Sequence, residues 1–467
     1  MLDRPHQSLA FSRASALVLA AAVAACSIDS LVGDGALPPD VPDPAITKTP
    51  AGAFAAYRGT LVLFRTAFGG TGEGSYIGQS GMLADELQPS VFPTGSYGPF
   101  DPLDSRTLPE YQDPIGEFGL AESGPYVLLY DRLHQVRGQA EEARGLLRAY
   151  GGDSAHVPIG LVDALEAYSD VFLAEFFCSG VPLSTVDFNG DYTYQPGSTT
   201  TQVFEHALTL FDSALTFAAE SLPIVHLARV GKARALLGIG RFAEASQEVA
   251  PVPDGFQYTV RYATAGASGG GGSPTDATNF AKTQTTEPPW FATDADREGS
   301  NGLDYVSSGD PRTLAVSVGT TPVLLHPAKY AINGSTAIVL GDWIEARLIE
   351  AEAALQAGDF ATWLAKLNHL RETAISPALT DTTDPGTPDA RVDLTFRERA
   401  FWLFLTGHRQ GDLRRLVRQY GRAQTQVYPS GLYPGGATLY GPDVTAPVPA
   451  LEREFNKKFT GCIHRGA

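Results

Sequence analysis

The sequence predicts a mainly α-helical protein in which helix–turn–helix pairs stack as a scaffold and a loop-rich, irregular face carries a few short β-hairpins. Three observations lead to this fold class. Apolar residues recur at a spacing near 3.6 along several segments, and a helix-pair motif occurs twice. Between the two copies of the motif, glycine is frequent and helical stripes are few.

Four helices are predicted before the first copy of the motif. They cover residues 51–68, 126–149, 159–177 and 203–219. In the second of them, Leu129, Leu133 and Leu147 fall on one apolar stripe, and Gly151 with Gly152 ends the helix. The connection before it, residues 69–124, is rich in Gly, Pro and Tyr and is expected to contain loops with one or two helices.

The repeated motif aligns residues 235–243, ALLGIGRFA, with residues 353–361, AALQAGDFA. In each copy a helix meets a short glycine turn, and an aromatic residue (Phe242 or Phe360) opens a second helix and fills the gap between the two. This pattern is similar to a tetratricopeptide (TPR) repeat, whose helix pairs cannot bury their apolar faces alone and therefore stack. Asp342 is the predicted N-cap of the second copy.

Residues 251–341 are predicted to be a loop-rich insertion between the two copies. Residues 265–273, AGASGGGGS, are flexible by composition. Short runs of alternating apolar residues at 314–318 and 337–340 predict strands, and Asn333-Gly334 between them is typical of a hairpin turn.

The N-terminus is typical of an exported protein. Residues 1–25 read as a signal peptide, because a basic segment precedes an apolar run that is too short to span a bilayer. Small residues before Cys26 resemble a bacterial lipobox, which predicts cleavage before Cys26 and lipidation of its thiol; the alternative is an ordinary signal peptide with an incidental cysteine. Residues 26–50 then form an extended tether, and residues 51–467 are predicted to be one domain.

Two other cysteines, Cys178 and Cys462, remain in the exported chain. Because exported proteins fold in an oxidising compartment, we expect the two thiols to form a disulfide that ties a mid-chain helix end to the C-terminal tail. Two free, buried thiols are the alternative.

Charge and motifs exclude several classes of function. The formal net charge of −18 argues against nucleic acid as a partner. The sequence lacks the common motifs of metalloproteases, serine hydrolases, P-loop proteins and dinucleotide-binding proteins, so we expect neither an enzyme nor a cofactor. Asp187, Asn189 and Asp191 have calcium-loop spacing, but Ser198 stands where the bidentate Glu belongs, so a polar turn is favoured over a weak metal site.

Residues 391–422 predict two further helices joined by a charged turn. Thr395 with Glu398 three residues later is typical of a capping box, so the first helix is expected to begin there. The ionisable residues at the joint are His408, Arg409 and Asp412. They form either a functional site or a hydrogen-bonded clamp between helix ends.

This block resembles the C-terminal signature of the SusD/RagB family of nutrient-binding outer-membrane lipoproteins. Residues 397–415 match it as RER-x-F-x-L-F-x-x-GHR-x-x-DLRR, which includes His408, Arg409, Asp412 and Arg414. Thr406 stands where the family commonly has Glu, and Gln410 where it commonly has Trp. Three other segments carry the resemblance: residues 178–183 (CSGVPL), residues 342–354 (DWIEARLIEAEAA) and the tail from Pro447 to Asn456.

The resemblance implies a protein at the outer membrane, lipid-anchored and facing the cell surface. TPR-like pairs would form one side and ligand-binding loops the other. It also implies a partner, a TonB-dependent outer-membrane barrel transporter, over which the protein acts as a lid and to which it delivers a nutrient such as an oligosaccharide. Two alternatives stay open: a TPR-type assembly or scaffold lipoprotein without a nutrient ligand, and a surface hydrolase.

Aromatic residues in loops are the candidate ligand-binding residues, because an aromatic ring can stack on the C–H face of a sugar. The candidates are Trp290, Phe291, Tyr97 and Tyr76. Trp290-Phe291, between Pro289 and an acidic run, is the favoured platform. The alternative is that these rings fold down onto the helical core.

Overall fold

Helices predominate in the computed structural model, which describes residues 44–70, 74–88, 101–108, 125–186, 191–262, 291–292, 302–318, 324–331, 334–433 and 439–467. In these residues the helices are α1 (Pro44–Thr47), α2 (Pro50–Gly69), α3 (Tyr76–Leu83), α4 (Asp101–Asp104), α5 (Pro125–Tyr150), α6 (His156–Phe176), α7 (Thr200–Phe217), α8 (Leu222–Gly238), α9 (Phe242–Val249), α10 (Trp343–Ala357), α11 (Phe360–Thr373), α12 (Pro388–Trp402), α13 (Arg409–Arg418), α14 (Gln424–Val427) and α15 (Leu451–Phe455). A search of the same residues finds no helix with the length and apolarity needed to cross a bilayer.

The strands are short and lie in two-stranded antiparallel pairs. They are β1 (Leu87–Gln88), β2 (Val181–Pro182), β3 (Thr185–Val186), β4 (Tyr192–Thr193), β5 (Gly197–Ser198), β6 (Gln257–Val260), β7 (Phe291–Ala292), β8 (Ala315–Val318), β9 (Leu324–Pro327) and β10 (Ile338–Asp342). The pairs are β1–β7, β2–β5, β3–β4, β6–β10 and β8–β9.

The four long helices predicted from apolar stripes are α2, α5, α6 and α7, and each is displaced from its predicted bounds by three residues at most. They pack in chain order, α2 against α5, α5 against α6, α6 against α7, and α7 against α8. Because α6 is covered on both sides, every residue from Ile159 to Phe176 is buried. The predicted mainly α-helical fold with stacked helix pairs is confirmed.

The two copies of the repeated motif form the pairs α8–α9 and α10–α11. Each turn contains a glycine with a positive φ, 76° at Gly240 and 75° at Gly358, which explains why the motif needs glycine there. The Asp342 carboxylate accepts a hydrogen bond from the backbone N–H of Glu345 at 2.9 Å, so the predicted N-cap is present.

The aromatic that fills the second pair is not the predicted one. Phe360 does begin α11, but it is 36% exposed, and the guanidinium of Arg391 lies 3.7 Å from its ring centre. Trp363, one turn later, is fully buried between α10, α11 and α12. A ring at the first position of α11 points outward from the pair, whereas the fourth position faces α10.

The start of α12 also differs from the sequence-based prediction. The helix begins at Pro388, after Thr387 as N-cap, so Thr395 lies in its middle. The Thr395 hydroxyl accepts a hydrogen bond from the Trp363 indole N–H at 2.7 Å and donates to the Arg391 carbonyl at 2.8 Å. The threonine that resembled a cap therefore bonds to a neighbouring helix.

The strand at 338–342 does not form the predicted hairpin with the run before it. β10 pairs with β6, whose residues lie before the glycine-rich part of the insertion, in the register Ile338↔Val260 to Asp342↔Gln257. The predicted run at 314–318 instead forms β8 and pairs with β9. Asn333 lies outside the described residues.

The C-terminal tail is tied to the end of α6. Cys178 and Cys462 form the predicted disulfide, with their Cα atoms 5.9 Å apart. Next to it, Phe177 forms a parallel bridge with Ala446, and the buried amide of Asn456 donates to the carbonyl of Gln195 at 2.8 Å. The tail thus covers the helix end that leads into β2.

Candidate functional site

The charged joint between α12 and α13 is buried and contacts elements from distant parts of the chain. The Nε2 atom of His408 lies 3.1 Å from a carboxylate oxygen of Glu345 on α10. Arg409 donates to both carboxylate oxygens of Asp85, at 2.7 and 2.6 Å. Burial, reinforced by the nearby Arg234, lowers the pKa of His408.

Asp412 is enclosed by two guanidinium groups. Arg399 donates to both of its oxygens at 2.8 and 3.0 Å, and Arg415 donates to one of them at 2.7 Å. Burial alone would raise the pKa of this carboxyl, but Arg399 and Arg415 hold it well below its usual value. Asp412 is 3% exposed, so it has no surface to offer a ligand.

Arg414 completes the motif through backbone contacts. Its guanidinium donates to the carbonyl of Ala174 and, at 3.2 Å, to the carbonyl of Phe177, both at the end of α6. These two carbonyls lie in the last turn of the helix and just beyond it, where intrahelical donors are missing. The contacts of His408, Arg409, Asp412 and Arg414 therefore favour the clamp interpretation of the joint.

The contact between Arg409 and Asp85 fixes the chain just before β1, which begins two residues after Asp85. Asp85 accepts hydrogen bonds from Arg409 and also from the Tyr305 hydroxyl, the latter at 3.2 Å. The ring of Tyr305 stacks on Phe404 with centres 4.8 Å apart. The next residue, Glu86, accepts a hydrogen bond at a carboxyl oxygen from the backbone N–H of Leu405 at 2.8 Å. The two residues before β1 are thus fixed to the C-terminal block.

β1 and β7 form a two-stranded antiparallel ribbon between distant parts of the chain. The register pairs Leu87 with Ala292 and Gln88 with Phe291. Trp290 directly precedes β7, and the segment that contains Tyr97 directly follows β1. Because the strands are antiparallel, the chain enters β7 from Trp290 at the same end of the ribbon at which it leaves β1 toward Tyr97.

A polar cavity of about 340 Å³ lies between the charged joint and the turn that contains Leu303. Its lining residues are Leu303, Asp393, Phe396, Arg397, Arg409, Leu416, Arg422, Gln426 and Val427. Arg397 donates to Asp304 at 2.6 Å, and both side chains are partly exposed, at 40% and 37%. Exposed guanidinium and carboxylate groups can exchange such a pair for the hydroxyls of a bound sugar.

Solved structures with a similar backbone identify the fold. A SusD superfamily protein from Bacteroides vulgatus superimposes with a TM-score of 0.64 at 15% identity, over 89% of this chain and 99% of that one. This chain has the SusD-like fold. A laminarin-binding SusD-like protein gives 0.63 at 14% identity over 88% and 99% of the two chains. A SusD-like carbohydrate-binding protein from Bacteroides vulgatus gives 0.61 at 14% identity over 88% and 97%. No family model and no curated protein matches the sequence.

Within this SusD-like fold, Tyr76 belongs to the core and not to the ligand surface. It is fully buried, its hydroxyl donates to Glu175 at 2.6 Å, and its ring stacks on Phe172 with centres 4.0 Å apart. Burial, with the neighbouring carboxylate of Glu175, raises its pKa well above the usual value. A sugar platform needs an exposed ring face, so the sequence-based assignment of Tyr76 is wrong.

The remaining candidate residues lie outside the described residues. They are Trp290, Tyr97, Cys26, the side chain of Phe291 and most of the acidic turn at 187–191. The cavity around Arg397 could not be predicted from the sequence, because its lining comes from α12, α13, α14 and the distant turn that contains Leu303. The described residues contain no cluster of His, Cys, Asp or Glu side chains that could hold a metal ion.

Proposed function

We propose that this chain is a cell-surface lipoprotein of the outer membrane that binds an oligosaccharide and delivers it to a TonB-dependent transporter. The observation that carries the proposal is the β1–β7 ribbon within a SusD-like fold, since it joins the two loop segments richest in aromatic candidates. A laminarin-binding protein with the same fold supports a carbohydrate as the ligand class.

Recognition would combine stacking with hydrogen bonds. In this proposal the ring of Trp290 offers a face for the C–H side of a sugar, and the cavity around Arg397 offers donors and acceptors for hydroxyl groups. Arg397 and Arg422 supply donors, while Asp304 and Asp393 supply acceptors. We propose binding without chemistry, and release of reducing sugar by the purified protein from any bound glycan would contradict that.

Delivery would depend on a lid motion. In this proposal the stacked helix pairs face the transporter, and the loop face closes the ligand against the barrel. The ligand shifts the lid toward its closed state only as far as its affinity for that state exceeds its affinity for the open one. Lipidation of Cys26 would keep the lid at the membrane.

A glycan-binding screen tests the ligand class. The purified protein is offered β-1,3-glucan, α-glucan and other oligosaccharides together with short peptides, and binding is measured by calorimetry. We expect Trp290→Ala to weaken binding of the selected glycan by about 2- to 13-fold, because one stacked aromatic contributes about 0.5–1.5 kcal/mol beyond its buried area.

The matched control is Tyr192→Ala, since Tyr192 is an aromatic residue of β4 that is 66% exposed away from the ribbon. Equal affinity of wild type and Trp290→Ala for the same glycan would remove Trp290 from the site. If the protein bound only peptides in this screen, the proposed ligand class would change from glycan to peptide.

The TPR-like pairs also suit an assembly scaffold, which is the second candidate function. Affinity purification from the outer membrane distinguishes the two. A large barrel with a plug domain supports the lid proposal, and a barrel-assembly component supports the scaffold.

A further inference from the structure

A second, larger cavity runs along α2, and it shares no lining residue with the polar cavity around Arg397. Its walls are formed by α2 between Ala55 and Arg65, Gln139 of α5, Leu161 and Leu165 of α6, and residues 258–261 at the end of β6. This α2 cavity has a volume of about 950 Å³, and most of its lining is aliphatic or aromatic. Sites for small organic ligands commonly enclose about 300–1,000 Å³ and have a lining of the same kind.

One end of the α2 cavity carries a guanidinium group without an acceptor. The Nε and Nη2 atoms of Arg65 are buried, and in the residues that the structure describes neither atom has a hydrogen-bond partner. Buried polar atoms of native proteins are normally hydrogen-bonded, and a charge that loses water without gaining a partner is costly. A carboxylate would supply the missing acceptors, because its two oxygens match the fork of a guanidinium group.

Arg261 lies at the same end of the α2 cavity. The Tyr262 hydroxyl donates to the backbone carbonyl of Arg65 at 2.9 Å, which places the C-terminal end of β6 beside Arg65. Arg261 directly follows β6, lines the cavity and is exposed. A third arginine, Arg58, lines the cavity about 10 Å away along α2 and is exposed to water. The end at Arg65 and Arg261 is therefore the cationic one.

The charge and the polarity of the lining restrict the ligand. The described residues that line the α2 cavity include no Asp or Glu, although the whole chain has 52 acidic and 34 basic residues. Such a local excess of positive charge attracts anions and repels cations. A small hydrophilic anion would satisfy Arg65 but would leave the apolar lining in water. A ligand that fits both features has an anionic head and an apolar tail.

We infer that the α2 cavity binds a long-chain fatty acid, with the carboxylate at Arg65 and Arg261 and the acyl chain along the apolar lining. The cavity follows α2 from Arg65 back to Ala55, about 15 Å at 1.5 Å per residue. One acyl layer of a bilayer is also about 15 Å thick, half of a hydrocarbon core of about 30 Å. The length of an ordinary acyl chain thus matches the length of the cavity.

The fatty-acid site goes beyond the proposed glycan-binding function and does not depend on it. The two cavities have separate linings, so a ligand in one leaves the residues of the other free. The chain would accordingly carry two sites for ligands of different chemistry.

Calorimetry with dodecanoate below its micelle threshold tests the site. The delipidated exported chain carries Cys26→Ser, which removes the expected acyl anchor and the need for detergent. We expect dodecanoate to bind with a stoichiometry of about one and to raise Tm, since a ligand of the folded state stabilises it. Each methylene group removed from the chain should weaken binding by about fourfold. Dodecanol and dodecyltrimethylammonium, with the same tail but no carboxylate, should bind at least about tenfold more weakly.

Arg65→Gln should weaken dodecanoate binding by about 10- to 150-fold, because the hydrogen bonds to a charged group are lost, and should leave dodecanol binding unchanged. The matched control is Arg148→Gln on α5, which makes the same change in net charge outside the cavity and should bind dodecanoate like wild type. The Tm of each ligand-free variant checks that it folds.

Three results would overturn the inference. They are absence of dodecanoate binding, equal affinity for dodecanoate and dodecyltrimethylammonium, and equal affinity of wild type and Arg65→Gln for dodecanoate. A dimer in analytical ultracentrifugation that Arg65→Gln dissociates and dodecanoate does not would assign the cavity to a second copy of the chain. Each of these results leaves the glycan-binding proposal unaffected, because that proposal is measured with glycans at the other cavity.

Discussion

Asp412→Ala is the substitution that best tests the clamp interpretation of the charged joint. Asp412 is buried and accepts three hydrogen bonds from two arginines. Arg415 would keep its contact with Glu352, but the nearest other carboxylate oxygen to Arg399 Nε lies 3.8 Å away, also on Glu352. Leaving a buried charge without its partner costs about 3–5 kcal/mol, so we expect the free energy of unfolding to fall by that amount.

Chemical denaturation and calorimetry measure the effect. The unfolding entropy is about 2.1 cal/mol/K per residue, which for the roughly 340 residues that the structure describes gives a fall in Tm of about 4–7 °C. The control is Asp212→Ala, because Asp212 forms an ion pair with Lys232 but is 59% exposed. A pair of that kind contributes about 0–1 kcal/mol.

Two results would refute the clamp interpretation. A loss of stability no larger than that of the control would show that the buried pairs do not hold the joint together. A loss of glycan affinity at unchanged stability would make Asp412 a binding residue. The clamp predicts the opposite pattern, with affinity of the folded fraction unchanged.

The remaining predictions concern a buried carboxyl and the disulfide. Burial raises the pKa of Glu86 to about 8, above its unfolded value of about 4.3, so its stabilising contribution is present at low pH, declines as the pH rises and is lost above about pH 8. Glu86→Gln should reduce the decline in the free energy of unfolding with pH by up to about 1.4 kcal/mol per pH unit. Urea denaturation from pH 5 to 9 measures this decline, and an equal decline in wild type and variant would contradict the prediction. Cys462→Ser should lower the free energy of unfolding by about 2–5 kcal/mol, because the bond joins residues 284 positions apart; dithiothreitol should destabilise wild type equally and leave the variant unchanged.

The helices and the repeat were predictable because their signals are local. The apolar stripes of α2, α5, α6 and α7 and the glycine turns of the repeated pairs depend on residues within a few positions of each other. The start of α12 was not predicted correctly, although Thr395 and Glu398 have capping-box spacing. The structure uses Thr395 for the indole of Trp363 and Glu398 for Arg312 and Arg371, so the spacing served tertiary contacts.

The candidate site was predictable only in part, because its geometry comes from contacts between distant residues. Aromatic content pointed to the loops at Tyr97 and Trp290, but nothing in the sequence near either loop predicts that β1 pairs with β7. Tyr76 was wrongly predicted to bind a ligand, because no residue near it in the sequence indicates that its hydroxyl bonds to Glu175, 99 residues away.

The ion pair between Asp85 and Arg409 has a consequence for the order in which contacts form during synthesis. The two residues are 324 positions apart, so the contact that fixes the residues before β1 can form only after most of the chain has been synthesised. Contacts of such long range slow folding. The N-terminal helices are synthesised first and can pair with each other, whereas the residues before β1 gain their contacts with Leu405 and Arg409 only when the C-terminal block is present. A chain truncated before Arg409 would thus keep its N-terminal helix pairs but lack the anchor of β1.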